Sequence, residues 1–118
     1  MHKAFFGDRE RDFSLTPHLI PEFERLTGKA IGATVDNLRG MSFAQIVATV
    51  RLGLIGGGTH PEEANTLVQT YLRAHPLGEL HLLALDILTD LWTGPEVQSV
   101  NEAAATGDLS AAINAGAS

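Results

Sequence analysis

The five histidines are the side chains of this 118-residue chain best suited to bind a metal or to transfer protons near neutral pH. A helical zinc site usually places two histidines four residues apart, often as His-Glu-x-x-His, so that both imidazoles reach one ion. His60, His75 and His81 do not have this spacing. We therefore expect no metal site, and we expect His81 to lie in the core or at its rim with one hydrogen bond.

Other patterns that could carry chemistry are equally weak. The run Gly56-Gly57-Gly58 is not followed by Lys-Ser or Lys-Thr, and no predicted strand precedes it, so it lacks the context of a phosphate-binding loop. Ser, His and Asp all occur, but a catalytic triad is recognised by geometry and not by composition. The chain has no cysteine, which excludes thiolate nucleophiles. The sequence therefore predicts a protein that is not an enzyme and uses no cofactor.

The balance of charge argues against nucleic acid as a partner. Acidic residues number 14 and basic residues 8, which gives a formal net charge of -6, whereas binding to phosphate backbones depends on cations. Two predicted helices, 43–55 and 61–74, are joined by glycines as in a helix-turn-helix. The second one carries Glu62 and Glu63 at its start and only Arg73 as a cation. We therefore expect no nucleic-acid partner.

The chain also lacks sequence signals for export or membrane insertion. Residues 1–8 contain no apolar segment of signal-peptide length, and no stretch approaches about eighteen uninterrupted apolar residues. The absence of cysteine fits a reducing compartment. We expect no membrane contact and a location in the cytoplasm.

The secondary structure of the chain is predicted to be mainly α-helical. The chain is 44% apolar but only 6% aromatic, so its core must consist mostly of Leu, Ile, Val and Ala. We expect a compact bundle of about four to five helices, with a short N-terminal β-hairpin over about residues 3–15 and a flexible C-terminal tail. Residues 1–94 are expected to form a single helical domain, and residues 95–118 to be disordered.

Local signals set the expected boundaries of these elements. Gly7-Asp8 between two short apolar segments predicts a type II′ hairpin turn, and Gly28 predicts a left-handed helix C-cap. The segments Ser42 to Gln45 and Thr59 to Glu62 each predict a capping box that starts a helix. The expected helical segments are residues 21–27, 31–38, 43–55, 61–74 and 77–92.

Apolar residues on two of these helices exceed the need of one small core. Helix 43–55 carries a second apolar band beside its main stripe, and Leu82 and Leu83 fall off the main stripe of helix 77–92. Contiguous exposed apolar surface usually marks protein contact. The alternative is that the hairpin and residues 19–38 cover these side chains, and the sequence does not decide between the two. The candidate partner-binding surface consists of Ala44, Ala48, Leu52, Ile55, Leu82 and Leu83.

Four segments follow one another in a recognisable order: residues 13–16, 20–28, 46–59 and the helix start Glu62-Glu63-Ala64. This order, and above all the helix that ends in Gly-Leu-x-Gly-Gly-Gly, resembles a family of gene transfer agent and phage tail proteins. Its members are labelled either tail tube protein or tail assembly chaperone. The resemblance covers about residues 4–94 and includes no catalytic motif.

The resemblance implies a protein that binds the long tape-measure protein while tail tube subunits assemble around it. The alternative that it implies is a minor structural component of the tail tube, retained in the particle. The implied partners are other tail proteins, the tape-measure protein first, and a homo-oligomer is left open. The implied location is the bacterial cytoplasm during particle assembly, or the virion under the alternative. Tube subunits are expected to be rich in β-sheet, so the predicted helices favour the chaperone.

Overall fold

The computed structural model describes residues 1–94, which form a two-stranded antiparallel sheet and five α-helices. The mainly α fold with an N-terminal hairpin is confirmed, and the predicted tail at residues 95–118 lies outside the described residues. The elements are β1 (His2–Phe6), β2 (Arg9–Phe13), α1 (Ile20–Thr27), α2 (Ile31–Asp36), α3 (Phe43–Gly56), α4 (Pro61–Ala74) and α5 (Leu77–Thr93), with 3-10 turns at Pro17–Leu19 and Leu38–Gly40.

The hairpin turns at Gly7-Asp8, as the sequence predicts. Gly7 has a φ of 74°, which residues other than glycine rarely adopt. Phe6 and Arg9 pair on either side of the turn, and the antiparallel register continues from them without interruption. Phe13 is fully buried, and its ring meets that of Phe6 edge-on at a centroid distance of 5.7 Å. The helical core therefore stabilises the hairpin, since two strands alone are marginal in water.

Helix α3 is the central element and begins at the predicted capping box. The Ser42 hydroxyl accepts a hydrogen bond from the backbone N–H of Gln45 at 3.1 Å, and the Gln45 side-chain oxygen accepts one from the N–H of Ser42 at 2.7 Å. Helices α1, α4 and α5 and strand β2 all pack against α3. Because neighbours surround it, side chains from both of its apolar bands are buried: Ile46, Ala48, Val50, Leu52 and Leu54.

The glycines that end α3 bring this helix against the second strand. A Cβ on Gly56 would lie 1.8 Å from the backbone oxygen of Ser14, and a Cβ on Gly57 would lie 2.0 Å from that of Asp12. The backbone N–H of Ser14 donates to the carbonyl of Gly53 at 2.9 Å. The sequence predicts a helix stop here, and the structure adds a close backbone approach that only glycine permits. The end of α3 thus covers the outer edge of β2.

The start of α4 differs from the sequence prediction in its capping residue. The N–H of Thr59 donates to the carbonyl of Leu54 at 2.9 Å and so completes the end of α3. His60 is the N-cap, and its Nδ1 accepts a hydrogen bond from the N–H of Glu62 at 3.3 Å. The predicted capping box at Thr59 is therefore wrong, because Pro61 occupies the first helical position, where proline is favoured, and makes the preceding residue the cap.

Helix α5 packs against α3 through an apolar stripe. His81 lies beside this stripe, half-buried, and its Nε2 donates to the carbonyl of Leu38 at 2.7 Å. The single hydrogen bond expected for a histidine at the edge of the core is confirmed. Phe43 and Leu77 are exposed in the first turns of their helices. The buried members of the α5 stripe are Leu80, Ala84, Ile87 and Leu88.

Candidate protein-interaction surface

The six residues predicted to bind a partner do not form one surface. Ala48, Leu52 and Leu83 are buried in the core, and Ile55 is half-buried against it. Ala44 and Leu82 are exposed, but they lie on different helices, α3 and α5. Of the two alternatives that the sequence leaves open, outward exposure is therefore wrong for these three buried residues. Contact of a partner with Ala44 or Leu82 stays a prediction.

Two features of the packing bury these residues. The second band of α3 is covered because β2, α1 and α5 all pack against this helix, which is the alternative that the sequence left open. Leu83 follows Leu80 by three residues and precedes Ile87 by four, so helical geometry places it on the same face as those two buried residues. Leu82 points to a different side of α5 and stays 63% exposed.

An open apolar groove lies where the 3-10 turn after the hairpin, α1, α2 and the end of α5 meet. It has a volume of about 370 Å³ and is lined by Pro17, Ile20, Ile31, Leu91 and Trp92. We call it the Trp92 groove. Trp92 is 56% exposed, although an indole gains more than almost any other side chain from burial. An exposed tryptophan on an apolar groove is typical of a binding surface.

The outer side of the hairpin presents a second apolar feature. Phe5 is 72% exposed, because alternate residues of a strand face opposite sides and Phe6 faces the core. On the same strand, His2 Nε2 lies 3.6 Å from Asp86 Oδ2 of α5, so β1 runs beside this helix. The exposed Leu82 is one helical turn before Asp86 and therefore lies on the side of α5 that follows β1.

A cleft of about 450 Å³ separates the hairpin turn from α4 and contains a buried cation. Arg11 is 7% exposed, and its Nη2 lies 3.2 Å from Asp8 Oδ1 and 3.1 Å from Glu63 Oε2. A hydrogen bond from the backbone and a second one from Arg11 hold the pKa of the Asp8 carboxyl below its ordinary value. Two carboxylates thus neutralise the guanidinium, which argues against a site for an anionic ligand.

Three rings next to this cleft join the hairpin to α4. The ring of Tyr71 stacks on that of Phe6 at a centroid distance of 4.5 Å and on that of His75 at 3.9 Å. The Tyr71 hydroxyl donates to Glu79 Oε1 of α5 at 3.4 Å, and burial, followed by the charge of Glu79, raises the pKa of Tyr71. Tyr71 is therefore a neutral hydrogen-bond donor that connects β1, α4 and α5. Its contacts indicate a structural role.

Two further features bear on the class of site. Among residues 1–94, no three side chains of His, Cys, Asp or Glu are grouped closely enough to hold a metal ion. Over the same residues, no helix combines the length and the apolar character that a membrane crossing requires.

Sequence reasoning missed Phe5 and the Trp92 groove for different reasons. Strand periodicity could have found Phe5, since adjacent residues of a strand must face opposite sides and Phe6 is an obvious core residue. The groove had no local signal, because Pro17, Ile31 and Trp92 come from distant parts of the sequence and meet only in the folded chain.

A family model described as “Phage tail tube protein, GTA-gp10” matches residues 1–94 of the chain. The match spans every element from β1 to α5. No curated protein and no solved structure matches the chain. The family match and the exposed apolar features are the observations from which a function can be argued.

Proposed function

The chain belongs to the phage tail tube protein family of the gene transfer agent, and we propose that it is a tail assembly chaperone that binds the tape-measure protein. In this proposal the protein holds the long tape-measure chain in solution until tube subunits surround it. It performs no chemistry, so its task depends on an apolar surface that can bind and release a helix.

The Trp92 groove is the observation that carries this proposal. A long helical client binds a globular protein by laying apolar side chains into a groove of this kind. Ile31 and Leu91 belong to the shell of side chains packed on the core, so the walls of the groove are held in place before a client arrives. Trp92 supplies the type of side chain that most often dominates binding energy at protein interfaces.

The balance of secondary structure supports a chaperone over a tube subunit. The wall of a tail tube is normally a ring of sheets, to which each subunit must contribute several strands. Residues 1–94 contain one two-stranded hairpin and five helices. A net charge of -6 also keeps such a protein soluble and away from the nucleic acid of the particle.

The second candidate is a structural component of the tail tube that stays in the particle. The name of the family, phage tail tube protein, favours this candidate. Its sheet would have to come from contacts between subunits, since a single hairpin cannot form a closed ring. The two candidates differ in whether the mature particle contains the protein.

Co-expression of the full chain with the tape-measure protein of the same gene cluster tests the proposed contact. The two proteins should co-purify, and Trp92→Ala should weaken the complex by about tenfold or more, because it removes the main exposed aromatic surface of the groove. Phe43→Ala is the matched control, since Phe43 is 57% exposed on another helix, and it should bind as the wild type does.

Circular dichroism of both variants should show an unchanged fold, because both side chains are exposed. No complex with the wild-type chain at any salt concentration would refute the proposed partner. Equal loss of binding in Trp92→Ala and Phe43→Ala would show that the groove is not the contact.

A further inference from the structure

Strand β1 has an open edge. Phe6 and Arg9 flank a two-residue turn, so they form a hydrogen-bonded pair. Hydrogen-bonded and non-hydrogen-bonded pairs alternate along an antiparallel register, so Ala4 and His2 also bond to β2. The N–H and C=O groups of Lys3 and Phe5 therefore point away from β2. No backbone hydrogen bond within residues 1–94 uses these four groups.

Two of the usual means of protecting a strand edge, a bulge and a proline, are missing from β1. Lys3 is the kind of side chain that discourages edge pairing, but its Nζ donates to Asp12 Oδ1 of the same hairpin at 2.7 Å. A strand that approached β1 would therefore meet a neutralised lysine and the exposed ring of Phe5.

We infer that β1 pairs with β1 of a second copy of this chain, antiparallel and with Ala4 opposite Ala4 on the two-fold axis. In this register Lys3 of each copy is opposite Phe5 of the other, so all four edge groups of both strands form hydrogen bonds. The two Phe5 residues lie diagonally across the new pair with their Cα atoms about 7–8 Å apart, which is within reach of aromatic side chains. The exposed Leu82 lies on the helix face beside this edge.

The geometry selects a closed dimer over an open fibre. The other edge of each hairpin is covered at its C-terminal end by α3, where Gly57 approaches the backbone of Asp12 and Gly56 that of Ser14. Pairing of two β1 strands about a two-fold axis uses both β1 edges at once, and in the resulting four-stranded sheet the end of α3 lies against the outer edges at Asp12 and Ser14. Two strands of five residues form a small interface, so the dimer should dissociate on dilution. This inference is independent of the proposed client.

Sedimentation of the full chain over a concentration series tests the dimer. The wild-type chain should shift from a 12.6 kDa monomer to a species of twice that mass as the concentration rises. Lys3→Pro should remain a monomer, because it removes an edge-facing N–H but none of the bonds to β2. Lys3→Ala is the matched control: it loses the same ion pair, keeps the N–H, and should dimerise.

Phe5→Asp is a second disrupting variant, in case Lys3→Pro does not fold. It keeps every backbone donor, places two carboxylates diagonally across the interface, and should also sediment as a monomer. A wild-type chain that stays monomeric at every concentration would overturn the inference. Dimers of equal strength in Lys3→Pro or Phe5→Asp and in the wild type would also overturn it, since association would then use another face.

A disulfide tests the register, because the natural chain has no cysteine. Ala4→Cys places two thiols opposite each other at a non-hydrogen-bonded pair, whose Cα atoms are about 4.5 Å apart, and oxidised glutathione should link them into a covalent dimer. Lys3→Cys should not link, because each cysteine is opposite Phe5 of the other copy. Efficient linkage of Lys3→Cys without linkage of Ala4→Cys would refute the proposed register.

Discussion

Arg11 shows how a charged side chain is accommodated in a small apolar core. Its guanidinium is buried, whereas its partners Asp8 and Glu63 are largely exposed. Its Nε–H has no partner within the described residues. The ion pairs therefore offset the cost of burying the charge only in part, and the packing of the aliphatic stem contributes much of what the residue supplies.

This view of Arg11 predicts a difference between two substitutions. The free energy of unfolding of Arg11→Met should lie within about 1 kcal/mol of the wild-type value, because this variant keeps the apolar stem and removes the unpaired donor. Arg11→Ala should lose about 2 kcal/mol of stability, because it leaves a space in the packing. Urea denaturation measures both values. Equal losses in the two variants would mean that the ion pairs stabilise the site and the stem does not.

Single-residue roles were predictable where the deciding neighbours are close in sequence. The capping pair Ser42 and Gln45, the left-handed Gly28 and the turn at Gly7 all follow from local chemistry. Leu52 was not predictable in this way, because its burial depends on which elements pack against the far side of its helix.

The packing of the end of α3 against β2 depends on two glycines. Gly56 and Gly57 let two backbones approach at a distance that no side chain allows. This contact holds the hairpin against α3 and covers one of its edges at Asp12 and Ser14. The glycine run was predictable as a helix end, but its second role requires knowledge of where the hairpin lies.

Gly57→Ala should test this packing directly. The new methyl group would lie 2.0 Å from the backbone oxygen of Asp12, so we expect a loss of about 3 kcal/mol or more in the free energy of unfolding. Gly78→Ala, in the first turn of α5 with nothing within 4 Å, is the control and should be neutral or stabilising by about 0.5–1 kcal/mol. Thermal or urea unfolding gives both values, and similar effects in the two variants would contradict the close approach.

The positions of the helices were largely predictable from sequence, and the surface was not. Caps, prolines and glycines fixed α4 to the predicted residues and the ends of α3 and α5 to within one residue. The surplus of apolar residues was judged from each helix alone, so residues such as Leu83 were assigned to a surface that the fold buries. The exposed features that remain, the Trp92 groove and the edge of β1, are products of tertiary structure.

At the level of the whole molecule, the fold combines a well-packed helical core with two apolar features suited to protein contact. The chain belongs to a phage tail family, and its described residues are mostly helical. The proposed chaperone binds its client through the Trp92 groove, whereas the alternative makes the protein a component of the tail tube. They make opposite predictions about the composition of the mature particle.

Quantitative mass spectrometry of purified particles, with the lysate of the same cells as reference, tests the chaperone proposal most directly. The protein should be abundant in the lysate during assembly, while purified particles should contain the tape-measure protein and far less than one copy of this chain for each tape-measure chain. Recovery of one or more copies per tape-measure chain in intact particles would contradict the chaperone and identify a structural component of the tail.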